Sequence, residues 1–155
     1  MKKWKGILGA VVCALALTAC GGGQQTADPG AEAVAERLSA GGSFDEDLEK
    51  MDGQVALKVY RIQPDAITES AVYTGTAAVV DEISVWEAKD AETGKTVEKA
   101  VRDRVAAQKE SYASYRPEEV PKLDAAVIER RGNYVVLCVS KDSRRAESLL
   151  DEIFE

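Results

Sequence analysis

The sequence contains no histidine, and its 155 residues include only three cysteines. Histidine is the commonest general base near neutral pH and the commonest transition-metal ligand. Its absence excludes the serine–histidine and cysteine–histidine pairs that activate nucleophiles, and it removes the usual ligand of zinc and copper sites. We therefore predict no metal and no cofactor, and we identify no catalytic residue.

Basic residues are also scarce, because 20 lysines and arginines stand against 27 aspartates and glutamates, giving a net charge of −7. Nucleic acids and anionic lipid surfaces would repel such a chain. The charge therefore disfavours nucleic acid as a partner. The hydrophobic content of 45% is ordinary for a globular domain.

No apolar run in the sequence is long enough to cross a bilayer as a helix. The run at the N-terminus, residues 7–19, has 13 residues, whereas a helical span needs about 20. Lys2, Lys3 and Lys5 precede this run. A short apolar run behind lysines is typical of a secretory signal peptide, so we predict one at residues 1–19.

The end of this run, Leu17-Thr18-Ala19-Cys20, resembles the lipobox of bacterial lipoprotein precursors. The resemblance implies that residues 1–19 are removed and that the Cys20 sulfur receives a diacylglyceryl group. Two acyl chains anchor a protein durably, because each buried CH₂ contributes about 0.8 kcal/mol. We therefore expect attachment to the cell membrane through Cys20, on the extracytoplasmic face. The alternative is an ordinary signal peptide, or an uncleaved anchor with an incidental cysteine.

The segment after the cleavage site is rich in glycine and glutamine and has no apolar periodicity. We predict that residues 20–30 form the lipidated cysteine and a flexible tether, and that residues 31–155 form a single globular domain. Cys138 is the only cysteine of that domain, so no internal disulfide can form. Because Cys138 lies in an apolar run, we expect a small buried side chain.

The spacing of apolar residues predicts the elements of this domain. Helices are predicted at residues 31–40, in one or two pieces within 44–62 with a break near Gly53, from Asp90 to Tyr115, and from Asp142 onward. Strands are predicted at residues 70–74, 82–88, 126–131 and 134–139, the last two forming a hairpin around Gly132-Asn133.

This order predicts an α+β fold. We expect a mostly antiparallel four-stranded sheet in ββαββα order, with its two helices packed on one face and short N-terminal helices before it. The continuous apolar run at residues 134–139 indicates that this strand is central.

A set of local patterns resembles a known family. The patterns are Asp81-Glu82-Ile83, Val85-Trp86-Glu87-Ala88-Lys89-Asp90, Gln108-Lys109-Glu110-Ser111-Tyr112, Tyr115-Arg116-Pro117 and Gly132-Asn133-Tyr134-Val135-Val136-Leu137. In this order they are similar to small lipoproteins of Firmicutes in the domain-of-unknown-function family numbered four-three-five-eight. The resemblance covers roughly residues 44–154. It implies a surface lipoprotein without an established activity, so it transfers no catalytic residue.

Two motifs resemble ligand sites but fail at a required position. Gly94-Lys95-Thr96 opens a predicted helix as a phosphate-binding loop would, but residue 89 is lysine where that motif needs glycine. The acidic run that starts at Asp45 resembles a calcium loop, but Lys50 occupies the sixth position, where glycine is required. We interpret both as solvated helical segments.

The aromatic residues offer one candidate ligand site. Tyr73 and Trp86 lie on predicted neighbouring strands, and if the sheet forms a groove these two side chains are the first candidates to line it. The alternative is that they pack in the core and at the sheet edges.

The sequence therefore favours a membrane-anchored, non-enzymatic binding or accessory module, whose partner is an envelope protein or a small ligand. The alternative is a cell-wall hydrolase that uses two carboxylates, although 27 acidic residues prevent the choice of a pair. A third interpretation is a structural spacer or adhesin.

Overall fold

The structure is a computed structural model that describes residues 28–155. The predicted signal peptide, residues 1–19, and the predicted lipidation site, Cys20, lie outside the described residues. The helices are α1 Ala31–Gly41, α2 Gly53–Tyr60, α3 Ala91–Tyr115, α4 Val120–Asp124 and α5 Ser143–Phe154. The strands are β1 Glu49–Lys50, β2 Ile67–Thr74, β3 Glu82–Ala88, β4 Val127–Arg131 and β5 Tyr134–Val139.

The five strands form one sheet in the order β1-β2-β3-β5-β4, and every neighbouring pair is antiparallel. The predicted α+β class and antiparallel sheet are confirmed. The predicted order from β2 to α5 is matched except that α4 is inserted before β4. Strand β5 is an interior strand with all six residues buried, although the middle position of the sheet belongs to β3 and not, as predicted, to β5.

The prediction of four strands is wrong, because β1 adds a fifth at the edge of the sheet. This strand lies in a segment that we predicted as helical from the spacing of Phe44, Leu48 and Met51. Glu49 pairs with Thr74, and the Met51 amide donates to the Val72 carbonyl at 2.8 Å. A strand of two exposed residues leaves no alternation in the sequence, so pairing with β2 determines its conformation.

The prediction that the helices share one face of the sheet is also wrong. Helices α1 and α5 pack on one face, which we call the apolar face, against Ile83, Val85 and Val136. Helices α2, α3 and α4 pack on the other, which we call the mixed face, against Val72 and Trp86. The interior strand β5 is apolar along its whole length, so both of its faces must be shielded from water. Helices packed on both faces of the sheet provide this shielding.

Local signals in the sequence define the ends of several elements. The Asp90 carboxylate accepts from the Thr93 amide at 2.7 Å at the start of α3, and Asp142 accepts from Arg145 at 3.0 Å at the start of α5. Gly132 has a φ of 59° in the β4–β5 turn, a conformation that glycine adopts without strain. The starts of α3 and α5 and the β4–β5 hairpin therefore confirm the predictions at those positions.

Candidate functional site

A buried carboxylate organises the mixed face of the sheet. Glu82 begins β3 and is 2% exposed, and its side chain extends toward α2 and α3. Its Oε2 accepts from Gln108 Nε2 at 2.8 Å and from Arg104 Nη2 at 3.2 Å, while its Oε1 accepts from the Tyr60 hydroxyl. Three donors therefore stabilise the charged carboxylate in an environment that would otherwise destabilise it.

The Tyr60 side chain connects this carboxylate to the core. Burial raises the pKa of Tyr60 well above its ordinary value of 10.0, and the charge of Glu82 and the hydrogen bond to it raise that pKa further. The phenol therefore stays protonated and donates. Its ring packs against Trp86 at 4.9 Å between centroids, and Arg104 Cζ lies 5.8 Å from its centre.

Two polar atoms of this network have no hydrogen-bond partner among residues 28–155. They are Gln108 Oε1 and Arg104 Nε, and both are almost completely shielded from solvent. The Gln108 amide is oriented by Glu82, because a carboxylate accepts only and so selects the NH₂ group. The free atoms are therefore one acceptor, on Gln108, and one donor, on Arg104.

A cavity of about 360 Å³ adjoins this network, and we call it the Glu82 pocket. Its walls are residues of the β2–β3 loop, Met51, and the α3 side chains Arg104, Ala107, Gln108, Ser111 and Tyr112. The volume lies at the lower end of the range for small-ligand pockets, about 300–1,000 Å³. An apolar lining with a few convergent polar groups is the usual composition of such sites.

A second cluster of charged side chains, centred on Lys122, fixes the β2–β3 loop that forms one wall of the Glu82 pocket. Lys122 Nζ lies 2.9 Å from Asp81, 2.7 Å from Glu119 and 2.5 Å from Asp45. Burial opposes the charged amine, but these three carboxylates outweigh it and raise the pKa of Lys122. Glu119 also accepts from the Val80 amide at 3.0 Å. The cluster therefore attaches the end of the β2–β3 loop to α4.

Helix α3 and a glycine fix the rest of that loop. The Tyr112 hydroxyl donates to the Val79 carbonyl at 3.1 Å, and Arg116 Nε donates to the Ala78 carbonyl at 3.2 Å. A Cβ at Gly75 would lie 2.6 Å from Val79 Cγ2 and 2.8 Å from Glu46 Oε1, so any other residue would require these side chains to shift. The pocket wall is therefore defined by contacts within the folded domain.

The first described residues lie at the opposite end of the sheet from the Glu82 pocket. Asp28 accepts from the Tyr134 hydroxyl, and the Ala31 amide donates to Glu69 at 2.7 Å. Tyr134 and Glu69 both pair with Glu87 of β3. Glu87 lies five positions after Glu82, which corresponds to about 17 Å along a strand. Residues 28–30, predicted as the end of the tether, therefore contact the domain.

The structure does not bring Tyr73 and Trp86 together. Tyr73 pairs with Ile83, so its side chain lies on the apolar face, and its hydroxyl donates to Glu32 at 2.6 Å. That hydrogen bond and partial burial raise the pKa of Tyr73 to about 12. Trp86 lies on the mixed face and is fully buried. Neither residue lines the Glu82 pocket.

The remaining candidate residues from the sequence lie in a helix, in ion pairs or in the buried core. Gly94-Lys95-Thr96 lies in the first turns of α3. Asp45 is paired with Lys122 and Lys141. Cys138 is buried in β5, and burial raises the pKa of its thiol to about 12. Within residues 28–155, no group of three or more acidic or cysteine side chains is placed to hold a metal ion.

The residues of the Glu82 pocket were not identified from the sequence. One signal was present, because Gln108 interrupts the stripe of Val97, Val101 and Val105 on the buried side of α3. A buried polar residue in an apolar stripe requires a partner. Nothing in the sequence names that partner, because Glu82 is 26 residues away on a strand.

Comparison with known proteins gives one match. The sequence model of a family described as "Domain of unknown function (DUF4358)" matches residues 42–140, more than half of the chain. No curated protein and no solved structure matches. Within residues 28–155, none of the helices combines the length and the apolar character that crossing a membrane requires.

Proposed function

The chain belongs to the family described as Domain of unknown function (DUF4358), and from that premise we propose that it is a lipid-anchored binding module on the extracytoplasmic face of the cell membrane. The matched region, residues 42–140, contains the whole wall of the Glu82 pocket. The observation that carries the binding role is this pocket, which combines apolar walls with a small number of polar side chains.

The position of Asp28 limits the distance between the domain and the proposed anchor. Asp28 follows Cys20 by eight residues, and a chain reaches at most about 3.6 Å per residue, so the two lie within about 29 Å. The segment joins the domain at the Tyr134 end of the sheet. A membrane attached through Cys20 would thus lie close to the domain, within the reach of this short segment.

The alternative of a carboxylate-based cell-wall hydrolase finds less support. Such an enzyme needs one carboxylic acid that gives up a proton and one free carboxylate. The adjacent acids of the pocket are Asp81, which pairs with Lys122, and Glu82, which pairs with Arg104. Glu82 also accepts hydrogen bonds at both oxygens. Neither group is free to act as a base without breaking its ion pair.

The anchor is tested by intact-mass analysis of the protein extracted from membranes. We expect a chain that begins at Cys20 and carries a diacylglyceryl thioether, and we expect Cys20→Ser to leave the membrane fraction. A chain that retains residues 1–19 with an unmodified Cys20 thiol would contradict the anchor.

The binding role is tested by a ligand-observed NMR screen of a fragment library. Ala107 is exposed and borders both the Glu82 pocket and a neighbouring recess that contains Val59 and Lys99, so Ala107→Trp would obstruct both without removing a member of the buried network. The matched control is Ala106→Trp, since Ala106 is also exposed on α3 but lines a different recess. We expect fragments that bind the wild type and Ala106→Trp and lose binding to Ala107→Trp. A library without any such fragment would contradict the proposal.

A further inference from the structure

Strand β4 forms one edge of the sheet and carries a free row of main-chain groups. Arg131 pairs with Tyr134 across the two-residue turn, and in such a pair both residues exchange their hydrogen bonds. By alternation, Ile128 and Arg130 direct their N–H and C=O groups away from β5. Within the described part of the chain, no strand lies on that side, and no loop amide or carbonyl bonds to these two residues. Their main-chain groups can therefore pair with an added strand.

An apolar recess of about 260 Å³ lies beside this edge. Its apolar walls are Val105 of α3, Leu123 of α4, Ala126 and Ile128, and it lies on the mixed face, where Ile128 packs. Among the described residues, none of β5 lines this recess, so it lies on the outer side of β4. A strand added to β4 would direct every second side chain to this face. The recess would then receive one apolar side chain of that strand.

Positive charge surrounds the recess. Arg102 and Lys109 contribute to its walls, and Arg130 is exposed on the adjoining strand. Glu98 lies 2.7 Å from Arg102 and 4.0 Å from Arg130, so the two arginines share one carboxylate, whereas Lys109 pairs with Asp124 at 2.9 Å. Three cations therefore face two carboxylates, and an acidic side chain on the added strand would balance the remaining charge.

A second copy of the chain is less suited to this edge than an acidic segment. Strand β4 contains one glutamate and two arginines, so two copies would bring strands of net positive charge together. The net charge of −7 on each whole chain would add a general repulsion. Charged side chains at a sheet edge hinder pairing with unrelated strands. The arginines here therefore favour a segment of complementary charge.

Recognition of a peptide by strand addition combines main-chain hydrogen bonds, which give affinity, with pockets for alternate side chains, which give specificity. The β4 edge and its recess offer both. We propose that they bind an extended segment of a partner protein as a sixth strand, with an apolar side chain in the recess and acidic side chains near Arg102 and Arg130. This surface shares no lining residue with the Glu82 pocket and extends beyond the function proposed for that pocket.

The test uses a pentapeptide of this pattern, acetyl-Asp-Thr-Leu-Thr-Asp-amide, and the full chain in detergent micelles. One variant of the peptide is N-methylated at both threonines, and the other at the leucine and the last aspartate. Only one of these sets of N–H groups can face β4. We expect one variant to bind like the parent and the other at least about tenfold more weakly, as measured by NMR shifts of the β4 amides. Equal affinity of the two variants, or no binding of the parent, would overturn the proposal.

A pair of substitutions assigns the apolar side chain to the recess. Ala106 is exposed and lines the recess, so we expect Ala106→Trp to weaken the parent peptide at least about tenfold. The matched control is Ala107→Trp, since Ala107 borders the Glu82 pocket and not this recess, and it should leave the affinity unchanged. A peptide with serine in place of leucine should lose a similar factor. Equal affinity of the two tryptophan variants would place the peptide elsewhere and contradict the proposal.

A second pair of substitutions tests the main chain of the edge. Arg130→Pro removes an outward N–H and no bond of the ladder, and we expect it to weaken the parent peptide at least about tenfold. Arg130→Ala retains that N–H, so its loss should be smaller, and equal losses would count against strand addition. Thermal melting checks the folding of the proline variant, and the methylated peptides give an answer on the wild type even if it unfolds. A dimer in sedimentation equilibrium that Arg130→Pro dissociates would assign the edge to a second copy and overturn the proposal.

Discussion

The two faces of the sheet are built from the same strands but from different chemistry. On the apolar face, Ile83 and Val85 meet Leu38 and Leu150, and the buried cluster consists of hydrophobic side chains with one thiol and one tyrosine. On the mixed face, the alternate residues of β3 begin with Glu82. Buried polar atoms without a partner among residues 28–155, including those of Trp86, Arg104 and Gln108, lie on this face.

This difference bears on two requirements of the domain, which are stability and binding. Burial of apolar surface stabilises the fold by about 25 cal/mol per Å², and the apolar face supplies such burial with few polar groups, among them the Tyr134 hydroxyl and the Cys138 thiol. The mixed face buries Glu82, Tyr60 and Gln108, which is unfavourable unless every group is paired. Both faces stabilise the fold through a buried apolar cluster, and we propose that binding takes place on the mixed face.

The largest expected effect comes from breaking the network of the mixed face. Glu82→Ala would leave three donors without their acceptor, so we expect the free energy of unfolding to fall by about 3–4 kcal/mol. Urea denaturation measures this change. Glu82→Gln retains an acceptor and serves as the control, with a smaller loss. A loss below about 1 kcal/mol for Glu82→Ala would show that the network contributes little to folding.

A core deletion on the apolar face should have a slightly smaller effect on stability and none on binding. Leu150 is fully buried, and we expect Leu150→Ala to lower the free energy of unfolding by about 3 kcal/mol. At temperatures where this variant stays folded, its affinity for pocket ligands should equal that of the wild type. An affinity loss that parallels the stability loss would break the assignment of separate roles.

The pH dependence of stability sharpens the comparison further. The pKa of Tyr60 is raised in the folded state, so below pH 10 the phenol is protonated in both states and its full contribution is present. Above pH 10 the unfolded chain releases this proton first, and stability falls by up to about 1.4 kcal/mol per pH unit. Tyr73 and Lys122, whose pKa values are also raised, act in the same direction.

The variant Tyr60→Phe isolates the contribution of Tyr60 from that of the other groups. The difference in unfolding free energy between wild type and Tyr60→Phe should be constant from pH 7 to 9 and should shrink above pH 10. Urea titrations at each pH give this difference. A difference that stays constant up to pH 11 would mean that Tyr60 is not protected as the structure indicates.

The smallest effect concerns the thiol of the apolar face. Burial raises the pKa of Cys138 to about 12, so at pH 8 the thiolate is rare and shielded. We expect iodoacetamide to label Cys138 in urea but not in the native protein, as measured by peptide mass mapping. Native labelling at the unfolded rate would show that the apolar face opens to solvent.

The sequence predicted the elements that depend on local signals. Asp90 and Asp142 cap helices, Gly132 lies in the hairpin turn, and the apolar run at residues 134–139 forms a buried interior strand. Each of these depends on residues close together in the chain, where propensity and pattern act directly. The family resemblance is confirmed for the domain, whereas the lipoprotein signal stays a prediction.

The candidate site could not be predicted from the sequence because it depends on strand register and on contacts between residues distant in sequence. Tyr73 and Trp86 lie on adjacent strands, but Tyr73 pairs with Ile83, and this register puts the two aromatic side chains on opposite faces. The true network joins Tyr60, Glu82 and Gln108 across separations of more than 20 residues. The spacing of residues in the sequence contains no information about such long-range contacts.

The most direct test of the division between the two faces is ¹⁵N chemical-shift mapping during titration with a fragment that binds the protein. We expect chemical-shift changes concentrated at residues 74–82 and at Arg104 to Tyr112, and no changes for residues of α1 and α5. Shifts centred on α1 and α5, or spread evenly over the domain, would contradict the assignment of binding to the mixed face.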